Sequence, residues 1–133
     1  MYISTIKLQN FRSYAKSEFT FTPETTVIVG PNTAGKTNIL EAIFLLSTGK
    51  SFRAERDLEM IKFNEEISRV YGTTVNEDSN SDVKLEIMLT NGIVAKTAAP
   101  KKKYLVNGVP KKQIDFAGLL RAVLFAPTDL DLV

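Results

Sequence analysis

Residues 2–10 alternate apolar and polar side chains, with Tyr2, Ile3, Ile6 and Leu8 broken by Ser4, Thr5, Lys7 and Gln9. Residues 17–22 alternate again and place Phe19 and Phe21 on one face. Both segments predict half-buried strands. Pro23 ends the second, and residues 26–29 form a short β-branched run suited to a buried strand, closed by Gly30. Beyond it, Ile39, Leu40, Ile43, Phe44 and Leu46 recur at three- and four-residue spacing, which predicts a helix. Leu45 widens the apolar face, so the helix is expected to be well buried. Gly49 stands where a helix-terminating glycine belongs, and Lys50 suits that end of the helix dipole.

The polar, mixed stretch 51–66 is expected to hold a short helix around residues 58–63. The remainder of the chain reads as a β-meander. Residues 68–75 and 83–89 are strand-like and are separated by the polar turn Asn76-Glu77-Asp78-Ser79-Asn80-Ser81. Asn91-Gly92 sits between Ile87-Met88-Leu89 and Ile93-Val94, a type I′ hairpin signal, and Asn107-Gly108 repeats it between Tyr104-Leu105-Val106 and Val109. Residues 112–120 are expected to form a short helix, and residues 122–125 a buried strand stopped by Pro127. The chain shows no internal repeat or low-complexity tract, and its last residues, Asp131-Leu132-Val133, carry no cap, so it reads as a piece of something longer.

Composition narrows the chemistry. The 133 residues suffice for one domain with a single modest core. Cysteine and histidine are both absent, which excludes disulfides, thiolate metal sites and the commonest neutral-pH acid/base. The longest apolar stretches are too short to span a bilayer, and no signal peptide is visible, so a cytoplasmic location is expected. Seventeen Lys and Arg against fifteen Asp and Glu give a formal charge of +2, too small to argue for nucleic acid by itself. The distribution says more, since Lys101-Lys102-Lys103 and Lys111-Lys112 lie close together.

The strongest chemical signal is Gly30-Pro31-Asn32-Thr33-Ala34-Gly35-Lys36-Thr37, which satisfies the P-loop pattern G-x-x-x-x-G-K-[ST]. Its glycines let the backbone approach phosphate oxygens, and successive N–H groups with the positive end of the following helix make an anion nest. Lys36 supplies a point charge to the β- and γ-phosphates, and the Thr37 hydroxyl is placed to ligate Mg²⁺. Average residue frequencies give four chance matches in such a chain a probability of roughly one in a few hundred. The match also falls between a β-branched strand and an amphipathic helix, which is the context the motif requires. The triphosphate of a nucleotide is therefore the expected ligand. Two strand signals precede the loop, whereas small GTPases and nucleotide kinases usually open with the P-loop strand. No Asn-Lys-x-Asp guanine-reading motif and no lid-like arginine cluster is present. An antiparallel β-layer built before the loop and extended after the helix is the layout of ATP-binding cassette heads.

Residues 1–3, Leu8-Gln9-Asn10-Phe11-Arg12-Ser13-Tyr14, the run from Gly30 to Ile43 and Gly49-Lys50-Ser51-Phe52-Arg53 together resemble the amino-terminal part of the RecF family. Asn107-Gly108-Val109-Pro110 and Val123-Leu124-Phe125-Ala126-Pro127-Thr128-Asp129-Leu130 extend the likeness along the whole chain. The resemblance implies an α/β P-loop NTPase, an ABC/SMC-like head lobe with a P-loop strand–helix unit and an antiparallel β-layer. It implies that residues 1–133 form a single domain, the first lobe of a longer head. It further implies ATP and Mg²⁺ as cofactors, DNA contact without sequence preference, an ATP-dependent homodimer and other recombination mediator proteins as partners. Roles in DNA repair, replication, the SOS response and recombinase loading at replication gaps follow from the same likeness. A head lobe of another SMC-like repair protein, acting as an ATP-switched DNA or partner binding module, is the alternative.

Two positions depart from the family pattern: Phe52 stands where histidine is frequent, and Thr128 where an acidic residue is usual. A cassette ATPase also needs four apolar residues followed by Asp-Glu to hold Mg²⁺ and polarise water, and a Leu-Ser-Gly-Gly-Gln-like signature. Residues 83–89 end in Thr90-Asn91 and residues 123–126 in proline, so neither supplies the first. Leu46-Ser47-Thr48-Gly49-Lys50 looks superficially like the second but closes the P-loop helix, so no catalytic residue is assigned. Arg12 in similar heads reaches the nucleotide, as guanidinium suits phosphate. Asn38 joins the expected nucleotide set, and Glu41 reads as a surface or ion-pairing residue. Lys101, Lys102, Lys103, Lys111 and Lys112, with Lys50 and Arg53, are candidate phosphate contacts for DNA, against the plainer reading of solvated charge protecting a hairpin edge.

Overall fold

A computed structural model describes residues 2–20, 34–51, 54–76 and 81–119 of the chain. The expected strands at 26–29 and 122–125 lie outside the described residues. Six strands form one antiparallel sheet: β1 (Tyr2–Phe11), β2 (Tyr14–Thr20), β3 (Ile67–Asn76), β4 (Ser81–Thr90), β7 (Lys102–Val106) and β8 (Val109–Lys111). Their order across it is β2-β1-β3-β4-β7-β8. A separate pair, β5 (Ile93–Val94) and β6 (Thr97–Ala98), stands apart from the sheet. Helix α1 runs from Ala34 to Thr48, a 3₁₀ turn from Asp57 to Met60, and a single-turn helix α2 from Gln113 to Phe116.

Alternation along the strands builds the core. Ile6 and Leu8 of β1, Val70 of β3, Leu85, Ile87 and Leu89 of β4 and Tyr104 of β7 are buried, while Lys7, Gln9 and Lys84 between or beside them face water. Register carries that pattern across strands, with Leu8 opposite Val70 and Val70 opposite Ile87. Ala42, Leu45 and Leu46 of α1 complete the cluster with Phe11, Met60 and Phe116. At Gly72 the helix packs tightly on the sheet: a Cβ there would stand 2.7 Å from Leu46 Cδ1. Gly49, at φ +82°, ends α1 in the left-handed conformation, and its N–H donates to the Leu45 carbonyl at 2.7 Å.

Three expectations change in detail. The two Asn-Gly signals part company. Asn107 (φ 51°) and Gly108 (φ 81°) make the tight turn between β7 and β8, with Val106 opposite Val109. Asn91-Gly92 makes no β4–β5 hairpin, because β4 pairs with β7 instead. Local side-chain bonds redirect the chain there: Asn91 Oδ1 accepts from Ile93 N–H at 2.9 Å, and the Thr90 hydroxyl donates to the Pro100 carbonyl at 2.6 Å. The two-residue turn falls on Ala95-Lys96, both with positive φ, between Val94 and Thr97. The helix expected at 58–63 is the 3₁₀ turn at Asp57–Met60, and Phe63 beyond it is 85% exposed. The helix expected at 112–120 stops at Phe116, because Gly118 N–H turns away to donate to the Ser47 carbonyl at 2.9 Å.

Candidate functional site

α1 begins at Ala34, so Gly35, Lys36 and Thr37 lie in its first turn. Gly30, Pro31, Asn32 and Thr33 lie outside the described residues. The first turn of α1 carries no acidic residue, which leaves the positive end of a 15-residue helix dipole uncompensated by the helix itself. Such an end suits an anion, and the motif sequence runs directly into it.

The β1–β2 turn is packed against this end of the helix. Phe11 pairs with Tyr14, so Arg12 and Ser13 form the two-residue turn. Asn38, one residue past the motif, is buried and its amide donates to Ser13 Oγ at 3.4 Å. Asn38 therefore points toward the turn, into the protein. Arg12 reaches one helical turn further. Its Nε donates to Glu41 Oε1 at 2.8 Å and its Nη2 to Glu41 Oε2 at 2.7 Å, a two-pronged ion pair. The Glu41 side chain is 0% exposed and the Arg12 side chain 22%. The hydrogen bond to Glu41 raises the Arg12 pKa above its ordinary value against the opposing effect of burial, and the charges of Glu41 and Glu59 add to the rise. The Ser51 hydroxyl donates to Glu41 Oε2 at 2.6 Å and accepts from Ala54 N–H at 2.9 Å. Helix, hairpin turn and the segment after the helix thus meet at one carboxylate.

Glu41 is an ion-pairing residue and not a surface one. Its signal in the sequence was a single acid inside the apolar run from Ile39 to Leu46. Ser51 was marked only as part of the Gly49–Arg53 likeness, and nothing in that stretch shows which hydroxyl will face a buried carboxylate.

The residues present fit a phosphate ligand: an acid-free helix N-terminus, a motif lysine and a guanidinium held nearby. For Mg²⁺ the motif sequence offers the Thr37 hydroxyl, and Mg²⁺ bound with substrate phosphates needs few protein ligands. Among the described residues no group of three or more Asp and Glu could hold a metal alone.

The candidate DNA-contact residues are spread out. Lys50 is exposed just past the far end of α1, about 22 Å from its start at 1.5 Å per residue. Arg53 lies outside the described residues. Lys102 and Lys103 are neighbours on β7 and point to opposite faces of the sheet. Lys102 Nζ pairs with Asp57 Oδ1 at 3.2 Å and stands 5.6 Å from the Tyr104 ring centre. Lys101 is exposed before β7. Lys111 lies opposite Tyr104 on the edge strand β8, and exposed Lys112 precedes α2.

Comparison with known proteins places this geometry. The family described as RecF/RecN/SMC N terminal domain matches residues 2–130. The DNA replication and repair protein RecF of Shouchella clausii is 39% identical over the full chain, and that of Bacillus cereus (strain G9842) is 36% identical. In both cases the chain spans about a third of the relative's length (33%). A solved structure of the recombination mediator protein RecF with ATP, described within the RecFOR pathway, superposes with a TM-score of 0.80 at 33% identity, over 98% of this chain and 33% of that one. The SMC head domain from Thermotoga maritima shares the fold alone, with a TM-score of 0.63 at 24% identity over 86% of this chain and 40% of that one. The α/β head fold and the likeness to the amino-terminal part of RecF hold along the chain, which belongs to the RecF/RecN/SMC N-terminal domain family.

Proposed function

We propose that this chain is the ATP- and Mg²⁺-binding first lobe of a RecF-like DNA repair and recombination protein. The observation that carries the reading is the acid-free start of α1, entered directly from a complete P-loop sequence and flanked by the Arg12 turn. The relatives named for RecF, and the solved RecF structure with ATP, support the choice of nucleotide.

In this reading the backbone N–H groups of Gly30–Thr37 and the helix dipole hold the phosphates, and Lys36 neutralises the β- and γ-oxygens. Thr37 offers its hydroxyl to Mg²⁺, which when bound would screen phosphate charge. Arg12 closes the side of the pocket, and Asn38 supports the turn that carries it. Hydrolysis is assigned to the intact head, with an Asp-Glu carboxylate and a partner's signature segment supplied from outside residues 1–133. ATP would then draw two heads into a homodimer on DNA, where the protein helps load recombinase at replication gaps with other mediator proteins. Contact with DNA is to backbone phosphates without sequence preference, through Lys101, Lys103, Lys111 and Lys112 with Lys50 and Arg53.

Calorimetric titration with Mg-ATP tests the core of this proposal. The chain should bind weakly, Lys36→Ala should remove most of the binding while leaving the fold intact, and equal affinities for both would end the reading. Phosphate release by the chain alone should stay at background.

A further inference from the structure

Glu41 is a fully buried carboxylate that the nucleotide reading does not use. Two unfavourable features converge on it. The first is the buried charge, since desolvating an ion pair offsets much of its attraction, and well-packed apolar residues are often as stable in its place. The second is the backbone of Arg12, a non-glycine residue at φ 52°. Left-handed backbone of this kind is disfavoured and tends to persist at ligand clamps. Glycine or asparagine would make the same turn with less strain. Stability therefore does not account for an arginine here.

Position does. Glu41 is three residues past Asn38, so the two lie on one face of α1. Its carboxylate takes Nε and Nη2 of Arg12, which leaves Nη1 outside the pair. The carboxylate is closed off while the guanidinium is partly open. Ser51 holds Oε2 from a third side, and Arg12 N–H donates to the Met60 carbonyl at 2.9 Å, so neither partner is left to swing. We infer that Glu41 is a positioning residue that clamps the Arg12 guanidinium beside α1 one turn past the motif, so that its remaining donor can reach back to the bound nucleotide; this rests on the nucleotide reading above.

The geometry makes the clamp specific. Glutamine at 41 offers one oxygen and an NH₂ that opposes the guanidinium N–H groups, and lysine at 12 has no planar fork. The test is Mg-ATP calorimetry on the chain with Glu41→Gln, Arg12→Lys, the double variant and Lys36→Ala, alongside thermal unfolding of each. Glu41→Gln and Arg12→Lys should each weaken Mg-ATP by about tenfold, the loss of one charge-assisted contact. The double should be no weaker than either single variant beyond a factor of about two, because both act through one guanidinium. Arg12→Lys keeps the charge opposite Glu41 and should fold, so its affinity decides the matter even where Glu41→Gln unfolds. Wild-type affinity in Arg12→Lys or in folded Glu41→Gln, with Lys36→Ala still deficient, would overturn the clamp and leave the nucleotide reading standing. Losses that multiply in the double would also overturn it, since Glu41 would then act by its own route. Wild type and Lys36→Ala alike in failing to bind would overturn both.

Discussion

On the helix-facing side of the sheet, Val70, Leu85, Ile87 and Leu89 are buried with Ala42, Leu45 and Leu46 of α1, and regular alternation supplies the strand residues among them. At the corner where the Arg12-Ser13 turn meets α1, the buried groups are instead Asn38 and Glu41, and the backbone of Asn10 and Arg12 is left-handed. Both regions press on the same helix. The first is built as a stability element is built, from apolar area and paired backbone. The second carries strain, a desolvated charge and a web of polar contacts, the features that recur where a protein holds a ligand.

Substitutions should separate the two. Ile87→Ala removes a fully buried side chain from the centre of the sheet. It should cost about 2–5 kcal/mol by denaturant unfolding, while the folded fraction keeps its nucleotide affinity. Replacing the polar corner together, with Arg12→Gly and Glu41→Met, should do the reverse. Stability should hold or rise by up to about 1–4 kcal/mol, since strain and a buried charge leave together, and Mg-ATP binding should weaken. A large loss of stability in that double variant would erase the contrast between the regions.

Smaller effects sharpen the boundary at the far end of α1. Gly49→Ala forces a side chain onto φ +82° and places its Cβ 3.1 Å from Gln113 Cγ and 3.2 Å from Tyr104 Cε1. A loss of about 1–2 kcal/mol by denaturant unfolding is expected. The Tyr104 hydroxyl donates to the Gly49 carbonyl at 2.9 Å. Burial pushes the Tyr104 phenol up from 10.0 to about 12, and the charge of Asp57 adds to the shift. The unfolded chain releases that proton near pH 10 while the folded chain keeps it. Its contribution is therefore complete below pH 10 and is lost as pH rises to about 12. Tyr104→Phe should lower the unfolding free energy by about 1 kcal/mol at neutral pH and flatten the decline between pH 10 and 12.

The sequence made the first region legible and left the second largely hidden. Spacing located α1, although the face it buries is Asn38, Glu41, Ala42, Leu45 and Leu46 while Ile39, Leu40, Ile43 and Phe44 stay partly exposed, and alternation located β1, β3 and β4. Asn107-Gly108 marked its turn correctly because the flanking residues pair and nothing competes with the turn. Asn91-Gly92 carried the same signal and failed, because the Thr90 and Asn91 side chains found local backbone partners and β4 found β7. The P-loop motif marks the phosphate site proposed at the start of α1. The clamp beside it could not be read, since its contacts join positions 29 residues apart (Arg12 and Glu41) and 10 apart (Glu41 and Ser51) in the sequence. Likewise, three consecutive lysines looked like one patch until strand alternation sent Lys102 to Asp57 and Lys103 to the other face.

The central claim is that the nucleotide sits at the start of α1 and touches Arg12. Amide and arginine Nε resonances of the ¹⁵N-labelled chain, followed through a Mg-ATP titration, report this directly. Shifts should concentrate in residues 30–38 and at the Arg12 Nε–H, and should vanish in Lys36→Ala. Shifts centred elsewhere, or surviving unchanged in Lys36→Ala, would contradict it.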